Sequence, residues 1–362
     1  MRVAIFHNYM DNIGGAERVG LTLARELKAD IYSTVVNKKL IKKMGFNTDV
    51  KTIGWVPINA PFKQQLSLFR FRMLNLGKDY DFFIIDGDWA VSGAVNNKPN
   101  LWYVHSPIRE IWDLYEYTRK NNVSFFKRPL FDCWVYLNRY LNRKYVKHIN
   151  RIVCNSKLTK NRVRMYLNRD AVVINPPIET TKFHYKKNGD YWLSVNRLIT
   201  HKRVDLQIEA FKKLPNEKLV IVGSYEKSKH FVAYTNYIRK IKPRNVKLLH
   251  WIDFNQLVEL YANCKGFITT SHNEDFGMNV VEAMASGKPV IAPNEGGYRE
   301  TIIDGVTGKL IDNITPKKIV RAIKEIGRNP EKYKKDCIKR AKKFDTKIFI
   351  KKIKREIKNS IK

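Results

Sequence analysis

The residues best suited to chemistry lie in one stretch, residues 271–297, with the sequence SHNEDFGMNVVEAMASGKPVIAPNEGG. Glu274 follows an apolar run typical of a β-strand, and Glu282 falls on the first turns of a helix expected from Asn279 to Ser286. Backbone N–H groups at a helix start favour an anion such as phosphate, and a carboxylate accepts hydrogen bonds from adjacent sugar hydroxyls. The stretch therefore suits a ligand with phosphate and sugar groups, although solvated surface acids explain these two residues equally well when they are taken alone.

Arg197 and Lys202 supply positive charge next to another predicted strand in the same half of the chain. In parallel sheets covered by helices, ligands bind beyond the carboxyl ends of the strands, and both residues follow the apolar run Tyr191–Val195. The chain contains 68 Lys and Arg residues, so two basic side chains would mean little without that position. Their position predicts that they bind a diphosphate.

Short apolar runs alternate with helix-like segments along the whole chain, which predicts an α/β fold with parallel sheets covered by helices on both faces. The pattern stops at Asn175-Pro176-Pro177, since prolines cannot continue a strand ladder, and it then restarts. We therefore expect two doubly wound halves of similar size. The predicted strands are Val3–Phe6, Ile31–Val35, Phe82–Ile85, Leu101–Val104, Arg151–Cys154, Ala171–Ile174, Tyr191–Val195, Leu219–Val222, Val246–Leu249, Gly266–Thr270 and Pro289–Ala292.

The predicted domains are residues 1–177, residues 191–335 and a basic C-terminal helix over residues 336–362. Residues 315–362 contain 19 Lys and Arg but five Asp and Glu. Within the last segment, Phe349, Ile353, Ile357 and Ile361 recur at helical spacing and predict one apolar stripe on a basic helix. We expect that helix to return to the first domain, with its charged side facing an anionic membrane if the substrate is carried on a lipid.

The net charge and the composition limit the classes of protein to which this chain can belong. A net charge of +34 favours an anionic partner, which could be nucleic acid, a phosphorylated ligand or an anionic membrane face. The four cysteines are scattered, so a disulfide framework or a zinc site is not expected. The first apolar run is too short for a signal peptide, and no run approaches the ~20 residues of a spanning helix. We therefore expect a cytoplasmic protein whose membrane contact is peripheral, on the cytoplasmic face.

Taken together, these motifs resemble the retaining glycosyltransferases of family GT4, which have the GT-B fold of two facing Rossmann-like domains. Glu274 and Glu282 have the spacing of the EX7E signature of that family. The similarity extends over essentially the whole chain. The other matching segments are a glycine turn at residues 12–18, a histidine motif at 103–113, domain-junction segments at 154–156 and 175–177, and a basic pair within 196–203.

The resemblance implies a nucleotide-diphosphate sugar donor, no cofactor and no catalytic metal. Arg197 and Lys202 would hold the donor diphosphate, and Glu282 would bind the ribose. Glu274 would contact hydroxyls of the transferred sugar, and His105 would contact that sugar from the opposite domain. The predicted catalytic residues are thus His105, Arg197, Lys202 and Glu274. The remaining predicted donor-binding residues, which offer their backbone, are Gly14, Gly15, Phe276, Gly277, Met278 and Asn279.

The expected reaction moves a sugar to a lipid-linked or cell-surface glycan acceptor. Variants of two motifs, HSPIR with WD and EDFGMN, are similar to a subgroup that includes mannosyltransferases, so GDP-mannose is the first expected donor and a UDP-sugar is the alternative. A nucleic-acid-binding protein remains an alternative because of the charge, although the chain has no RRM, zinc-finger or KH signature and we expect no nucleic acid partner. A GT-B relative such as a nucleotide-sugar epimerase is a further alternative.

Two other features of the sequence allow more than one interpretation. Asp86 and Asp88 form a DxD, which holds a metal on the diphosphate in the other large glycosyltransferase fold, but an acceptor-side or structural role is favoured because the motif lies in the first half. Aromatic and basic residues also alternate at residues 68–74 and 125–128. These segments suit an ordinary surface helix, a lipid interface or nucleic acid.

Overall fold

The computed structural model describes residues 1–12, 14–57, 62–224, 229–250 and 252–361. The chain forms two compact units, one of Met1–Asn175 with Phe349–Lys362 and one of Pro176–Ile348. Each unit is built around one parallel sheet flanked by helices, which confirms the predicted α/β class with two doubly wound halves.

The sheet of the first unit has seven parallel strands in the order β3-β2-β1-β4-β5-β6-β7. The strand order reverses between β1 and β4, and such a reversal opens a crevice for ligands at the carboxyl ends of the strands. The central strands β1, β4 and β5 are buried at every residue because helices cover both faces. The strands are β1 Val3–Phe6, β2 Asp30–Ser33, β3 Val50–Thr52, β4 Phe82–Ile85, β5 Asn100–Val104, β6 Arg151–Cys154 and β7 Val172–Val173.

The sheet of the second unit has six parallel strands in the order β10-β9-β8-β11-β12-β13. Here the order reverses between β8 and β11, so the crevice expected at a reversal lies after these two strands. The strands are β8 Tyr191–Arg197, β9 Lys218–Ser224, β10 Val246–Leu249, β11 Gly266–Ile268, β12 Val290–Pro293 and β13 Gly308–Ile311.

Helices connect the strands, and every one of them except α4 contains buried residues. Those of the first unit are α1 Gly15–Leu27, α2 Lys38–Lys43, α3 Phe62–Met73, α4 Tyr115–Asn121, α5 Arg128–Val146 and α6 Lys157–Leu167. Those of the second unit are α7 Val204–Lys212, α8 Lys229–Ile241, α9 Phe254–Asn263, α10 Met278–Ala285, α11 Tyr298–Thr301, α12 Pro316–Gly327 and α13 Lys334–Ala341. The last helix, α14 Thr346–Ile361, begins in the second unit and continues into the first.

The ends of the units differ from the predicted boundaries. Residues 336–348 belong to the second unit, as do residues 178–190, which lie between the first two predicted domains. Between the two predicted domains, Ile178 donates its N–H to the carbonyl of Phe344 and accepts from the N–H of Thr346, the first residue of α14, both at 3.0 Å. The stripe on α14 is buried at Phe349, Ile353 and Ile357, whereas Ile361 is 52% exposed in the last described turn.

Candidate active site

The turn that carries Lys202 follows β8 and is fixed against the segment after β11. Arg203 adopts a left-handed conformation (φ 48°) before α7, and its guanidinium donates to the carbonyl of Thr270 at 2.7 Å and to Glu295 Oε1 at 2.9 Å. The hydroxyl of Thr270 donates back to the carbonyl of Lys202 at 2.8 Å. These bonds join two loops that both leave the sheet where its strand order reverses.

Lys202 and Glu274 meet in this crevice as a direct ion pair. The Nζ of Lys202 lies 2.5 Å from Oε2 of Glu274, and the hydroxyl of Ser271 donates to the same oxygen at 2.5 Å. The two charged side chains are 12% and 22% exposed, so solvent still reaches the pair. The structure thus brings together two residues that the sequence predicted as diphosphate and sugar ligands.

The pKa of Glu274 is held below its ordinary value. Burial acts to raise the pKa, but the charge and hydrogen bond of Lys202 act against it, helped by Ser271 and by the charge of His201. Glu274 is therefore a carboxylate at neutral pH. A carboxylate in this state accepts hydrogen bonds and is not a proton donor.

Glycines let the loop after β11 pack tightly against its neighbours. Gly277 has φ +86°, and a Cβ there would come within 2.7 Å of the Tyr298 ring. Gly297 donates its N–H to the carbonyl of Glu274 at 2.7 Å, and a Cβ at Gly297 would lie 2.6 Å from Phe276 Cα. Residues 274–277 therefore pack directly against residues 296–297. Neither loop has room for a side chain at Gly277 or Gly297.

The N-terminus of α10 points out of this loop beside the end of β8. Gly277 caps the helix without a side-chain hydrogen bond, and Asn279 donates to the carbonyl of Val195 at 2.8 Å. The ring of Phe276 is buried against Phe344, with centroids 5.4 Å apart, and Met278 is half-buried against the core. Phe276 and Met278 thus have packed side chains, so a ligand at this helix start would meet backbone N–H groups.

Glu282 and Arg197 have different surroundings. Glu282 lies inside α10, is 3% exposed and accepts a hydrogen bond from the hydroxyl of Tyr261 at 2.9 Å. Arg197 is the last residue of β8 and is exposed, paired in the ladder with Ser224. Arg197 therefore lies at the exposed edge of the crevice, whereas Glu282 is buried within the second unit.

A second charged cluster lies at the reversal of the first sheet. Asp86, the first residue after β4, is fully buried, and His7, the first residue after β1, donates or accepts with its Nδ1 at 2.9 Å from Asp86 Oδ2. His105 follows β5, and its Nε2 lies 2.8 Å from the other carboxylate oxygen. The side chain of His105 is 23% exposed, so it is the member of the cluster that solvent reaches best.

Electrostatics explain how Asp86 tolerates burial. Burial acts to raise the pKa of Asp86, but the charge and hydrogen bond of His105 and those of His7 hold it below its ordinary value. For His7, burial acts to lower the pKa, but the hydrogen bond and charge of Asp86 raise it above its ordinary value. The carboxylate of Asp86 and the imidazole of His7 therefore stabilise each other's charged forms.

Asp88, the second acid of the DxD, has hydrogen-bond partners within the protein. Asp88 accepts a hydrogen bond from the side-chain amide of Asn8 and another from Trp89 N at 3.0 Å. Burial raises its pKa above the ordinary value, although these hydrogen bonds act in the other direction. Within the described ranges, no group of three or more His, Cys, Asp and Glu side chains is placed to hold a metal ion.

The predicted glycine turn lies at the start of α1. Gly14 caps the helix without a side-chain hydrogen bond, and Gly15 is its first, exposed residue; Ile13 of the same motif lies outside the described residues. Sequence reasoning missed Ser271, Glu295 and His7, which position the predicted residues. A polar residue directly after a predicted strand was the available signal for His7, since carboxyl ends of neighbouring strands meet at one edge.

The chain is similar to several known proteins. Residues 178–344 match the family described as glycosyl transferases group 1. An uncharacterized glycosyltransferase of Methanocaldococcus jannaschii is 30% identical, over 58% of each chain. The alpha-1,3/1,6-mannosyltransferase of Dictyostelium discoideum is 26% identical, over 97% of this chain and 95% of its own.

Solved structures share the fold of this chain at low sequence identity. The Anabaena protein HepE, in complex with UDP and glucose, superposes with a TM-score of 0.80 over 99% of both chains at 17% identity. The sucrose-phosphate synthase of Thermosynechococcus elongatus gives a TM-score of 0.76 over 99% of this chain and 98% of its own at 16% identity. Residues 178–344 are therefore a domain of the glycosyl transferases group 1 family, and the chain has the GT-B fold.

Proposed function

We propose that this enzyme moves a sugar, with retention of configuration, from a nucleotide-diphosphate donor to a lipid-linked or cell-surface glycan acceptor. GDP-mannose is the first donor that we assign, and a UDP-sugar is the alternative. The observation that carries the proposal is the Lys202–Glu274 ion pair, at the strand reversal of the second unit and in the loop that leads into α10.

In this proposal the second unit holds the donor. Arg197 and Lys202 bind the diphosphate together with N–H groups of residues 276–279 at the start of α10. The carboxylate of Glu274 accepts hydrogen bonds from hydroxyls of the transferred sugar, and Glu282 accepts from the ribose. Because Glu274 already holds the ammonium of Lys202 in the crevice, the cation is in place before the diphosphate arrives, which reduces the reorganisation that catalysis must pay for.

Transfer breaks the bond between the anomeric carbon and the diphosphate oxygen and forms a bond from that carbon to an acceptor hydroxyl oxygen. The electron pair of the broken bond stays on the diphosphate, whose growing negative charge Lys202 and Arg197 stabilise. The hydroxyl proton passes to a phosphate oxygen of the leaving group. No protein base is needed in this scheme, which agrees with Glu274 being an acceptor of hydrogen bonds from the sugar.

We assign to His105 a hydrogen bond with the transferred sugar, and to Gly14 and Gly15 a close backbone approach to the phosphates or the acceptor. The position of His105 directly after β5, with its Nε2 held by buried Asp86, supports a fixed imidazole that presents its other edge. Asp86 and His7 then position His105.

The relatives support both candidate donors in different ways. The mannosyltransferase of Dictyostelium discoideum aligns along nearly the whole chain, which favours GDP-mannose. A capsular polysaccharide biosynthesis glycosyltransferase of Staphylococcus aureus is 28% identical over 40% of the chain, which favours a cell-surface glycan acceptor. The HepE complex contains UDP, which keeps a UDP-sugar as the alternative. The family match favours transfer over nucleic-acid binding and over epimerisation.

For location, we propose the cytoplasmic face of a membrane, with peripheral attachment. Within the described part of the chain, no helix is both long and apolar enough to cross a bilayer. The net charge of +34 supports attraction to an anionic leaflet.

A donor screen tests the proposed reaction without knowledge of the acceptor. Purified protein is incubated with GDP-mannose, UDP-glucose and UDP-N-acetylglucosamine, and released nucleotide diphosphate is followed by chromatography. We expect slow hydrolysis of one donor, faster release on addition of acceptor, and an anomeric proton in the product that matches the configuration of the donor. Absence of release and of any thermal shift with GDP or UDP would contradict the proposal.

A further inference from the structure

The first unit exposes several apolar side chains on the outward face of α5. Residues Val135, Asn138, Asn142 and Val146 of this helix are buried. On the opposite side, Leu130, Tyr136, Leu137 and Tyr140 are 49–79% exposed. A surface helix normally carries polar residues on its outward face. The outward face of α5 therefore has the composition of a contact surface.

The residues that precede α5 extend this surface. Phe125 is 73% exposed and Phe126 is 92% exposed, and their rings contact each other edge to face at 5.7 Å. We use the name aromatic face for Phe125, Phe126, Leu130, Tyr136, Leu137 and Tyr140. Contiguous exposed apolar groups of this kind mark interaction sites in soluble proteins.

Helix α3 lies beside α5 and has the same character. The amide of Gln65 donates to Asn138 Oδ1 at 2.9 Å, which joins the two helices. On its outward side α3 exposes Phe62, Phe69 and Met73, by 54–73%. Two neighbouring helices and a turn thus present one kind of surface, which a single exposed side chain would not establish.

Basic residues surround the aromatic face. Residues 115–147 contain eight Lys and Arg but two Asp and Glu. One of the acids, Asp132, is paired with Arg119 at 2.8 Å. The guanidinium of Arg128 lies over the Phe125 ring at 5.5 Å. Apolar and aromatic groups within a basic border match the interior and the headgroups of an anionic lipid leaflet.

The aliphatic side chains of this surface distinguish between lipid and nucleic acid as its possible ligands. Bases bind single-stranded sites mainly by stacking on aromatic rings, and Leu130, Leu137 and Met73 have no ring to offer. All three are about half exposed or more. An acyl-chain boundary accepts aliphatic and aromatic side chains alike. Lipid is therefore the occupant that suits the whole surface.

The orientation of α5 places the aromatic turn near the reactive edge of the first unit. The helix ends at Val146, with four residues between it and the start of β6, so it runs from the carboxyl ends of the strands to their amino ends over ~28 Å. Consistent with this, Arg139 donates to the carbonyl of Ile111, in the loop after β5, at 2.7 Å. Phe125 and Phe126 precede the helix and therefore lie towards the edge that carries His105.

The basic end of α14 lies at the opposite edge. A groove of about 490 Å³ there is lined by Met1, Val3, Leu27, Ile357 and Ile361, among others, and Val3 is the first residue of β1. Membrane contact through this end would meet the amino ends of the strands, away from His105.

We propose that the aromatic face docks the first unit on an anionic lipid membrane. The choice of a lipid-linked acceptor rests on the proposed function, but the docking itself rests on exposure and charge. Phe126 and Leu130 enter the acyl boundary, while Lys120 and Lys127 contact anionic headgroups. The contact brings the edge that carries His105 towards the leaflet.

Flotation of the full chain with vesicles tests the docking. Vesicles of phosphatidylcholine alone are compared with vesicles that also contain phosphatidylglycerol, at low and high salt. We expect binding to the anionic vesicles that weakens as salt rises. Phe126→Ser with Leu130→Ser should weaken that binding about tenfold or more. Lys120→Gln with Lys127→Gln should weaken it about fivefold per charge and flatten the salt dependence.

Matched controls separate this surface from other exposed groups. Ile303→Ser with Val306→Ser removes exposed apolar groups from the second unit, and Lys351→Gln with Lys354→Gln removes two charges from α14. Both should bind vesicles like the wild type. The proposal is overturned if the wild type ignores anionic vesicles at low salt, if Phe126→Ser with Leu130→Ser binds normally, or if light scattering shows a dimer that this variant dissociates. Donor hydrolysis is measured in parallel, so vesicle binding without hydrolysis would refute the proposed function and leave the docking in place.

Discussion

Replacing Lys202 with alanine separates two consequences of the ion pair with Glu274. The change removes an ammonium that lies 2.5 Å from the carboxylate and that, in the proposed function, binds the donor diphosphate. Loss of the first contact affects the stability of the second unit. Loss of the second contact affects nucleotide binding and transfer.

The two effects differ in size. Removal of one positioned donor to a developing negative charge costs roughly 2.7–4 kcal/mol, or ~10²–10³ in rate. Removal of one partner from a fully buried ion pair costs about 3–5 kcal/mol of stability. The Lys202 and Glu274 side chains are 12% and 22% exposed, and Ser271 still donates to Glu274. We therefore discount the loss of stability to ~1–2 kcal/mol.

Binding of GDP and UDP by calorimetry decides whether Lys202 touches the diphosphate. Glu274→Gln should strengthen nucleotide binding, because it removes a negative charge close to the anion, while it weakens transfer through the lost sugar contact. The double variant Lys202→Ala, Glu274→Gln should remain weak in nucleotide binding if Lys202 contacts phosphate. Recovery of binding in the double variant would mean that Lys202 only neutralises Glu274, and our reasoning would be refuted. Lys212→Ala, which breaks an exposed pair with Glu209, is the matched control and should change neither property.

Three further changes test other parts of the structure. Gly297→Ala should place a Cβ within 2.6 Å of Phe276 Cα, lowering the melting temperature by an amount that corresponds to about 1–3 kcal/mol and weakening GDP or UDP binding; an unchanged melting curve would contradict the close packing. The stability that His7 gains from Asp86 is complete below pH 6.5, its unfolded pKa, and is lost as pH rises through the raised folded pKa. The gap in melting temperature between wild type and His7→Gln should therefore shrink as pH rises above 6.5, and a gap that widens would contradict the sign of the raised pKa. Transfer should survive EDTA in the wild type and in Asp88→Ala, whereas rescue by Mn²⁺ or Mg²⁺ would show that the DxD binds metal.

The sequence predicted the strands that carry the site better than the contacts between their ends. Glu274 and Lys202 were each placed after a strand, because apolar runs followed by polar residues mark carboxyl ends. Their direct contact depends on β8 and β11 being neighbours, and 72 residues separate the two side chains. The order of the strands in the sheet cannot be read from one sequence alone.

The same limit applies to Asp86, whose short motif left metal, acceptor and structural roles open. Its bond to His7 requires β1 beside β4, which the structure provides in register, and burial of the carboxylate follows from its position at the centre of the sheet. The edge strands β3 and β13 were not predicted. In β3 one residue of three is buried, so an apolar run, the signal used for the other strands, is absent.

The two strand reversals differ in a way that bears on which unit binds the charged part of the donor. At the reversal of the second sheet, the carboxylate of Glu274 and its cation are both partly open to solvent, so a diphosphate reaches the ammonium without breaking a closed core. At the reversal of the first sheet, Asp86 is fully enclosed and both of its oxygens are taken by histidines. Both oxygens of that carboxylate already have hydrogen-bond partners inside the protein, and the partly exposed edge of His105 is what remains for a ligand. An anionic group therefore gains more at Lys202, whereas His105 offers a hydrogen bond suited to an uncharged sugar hydroxyl.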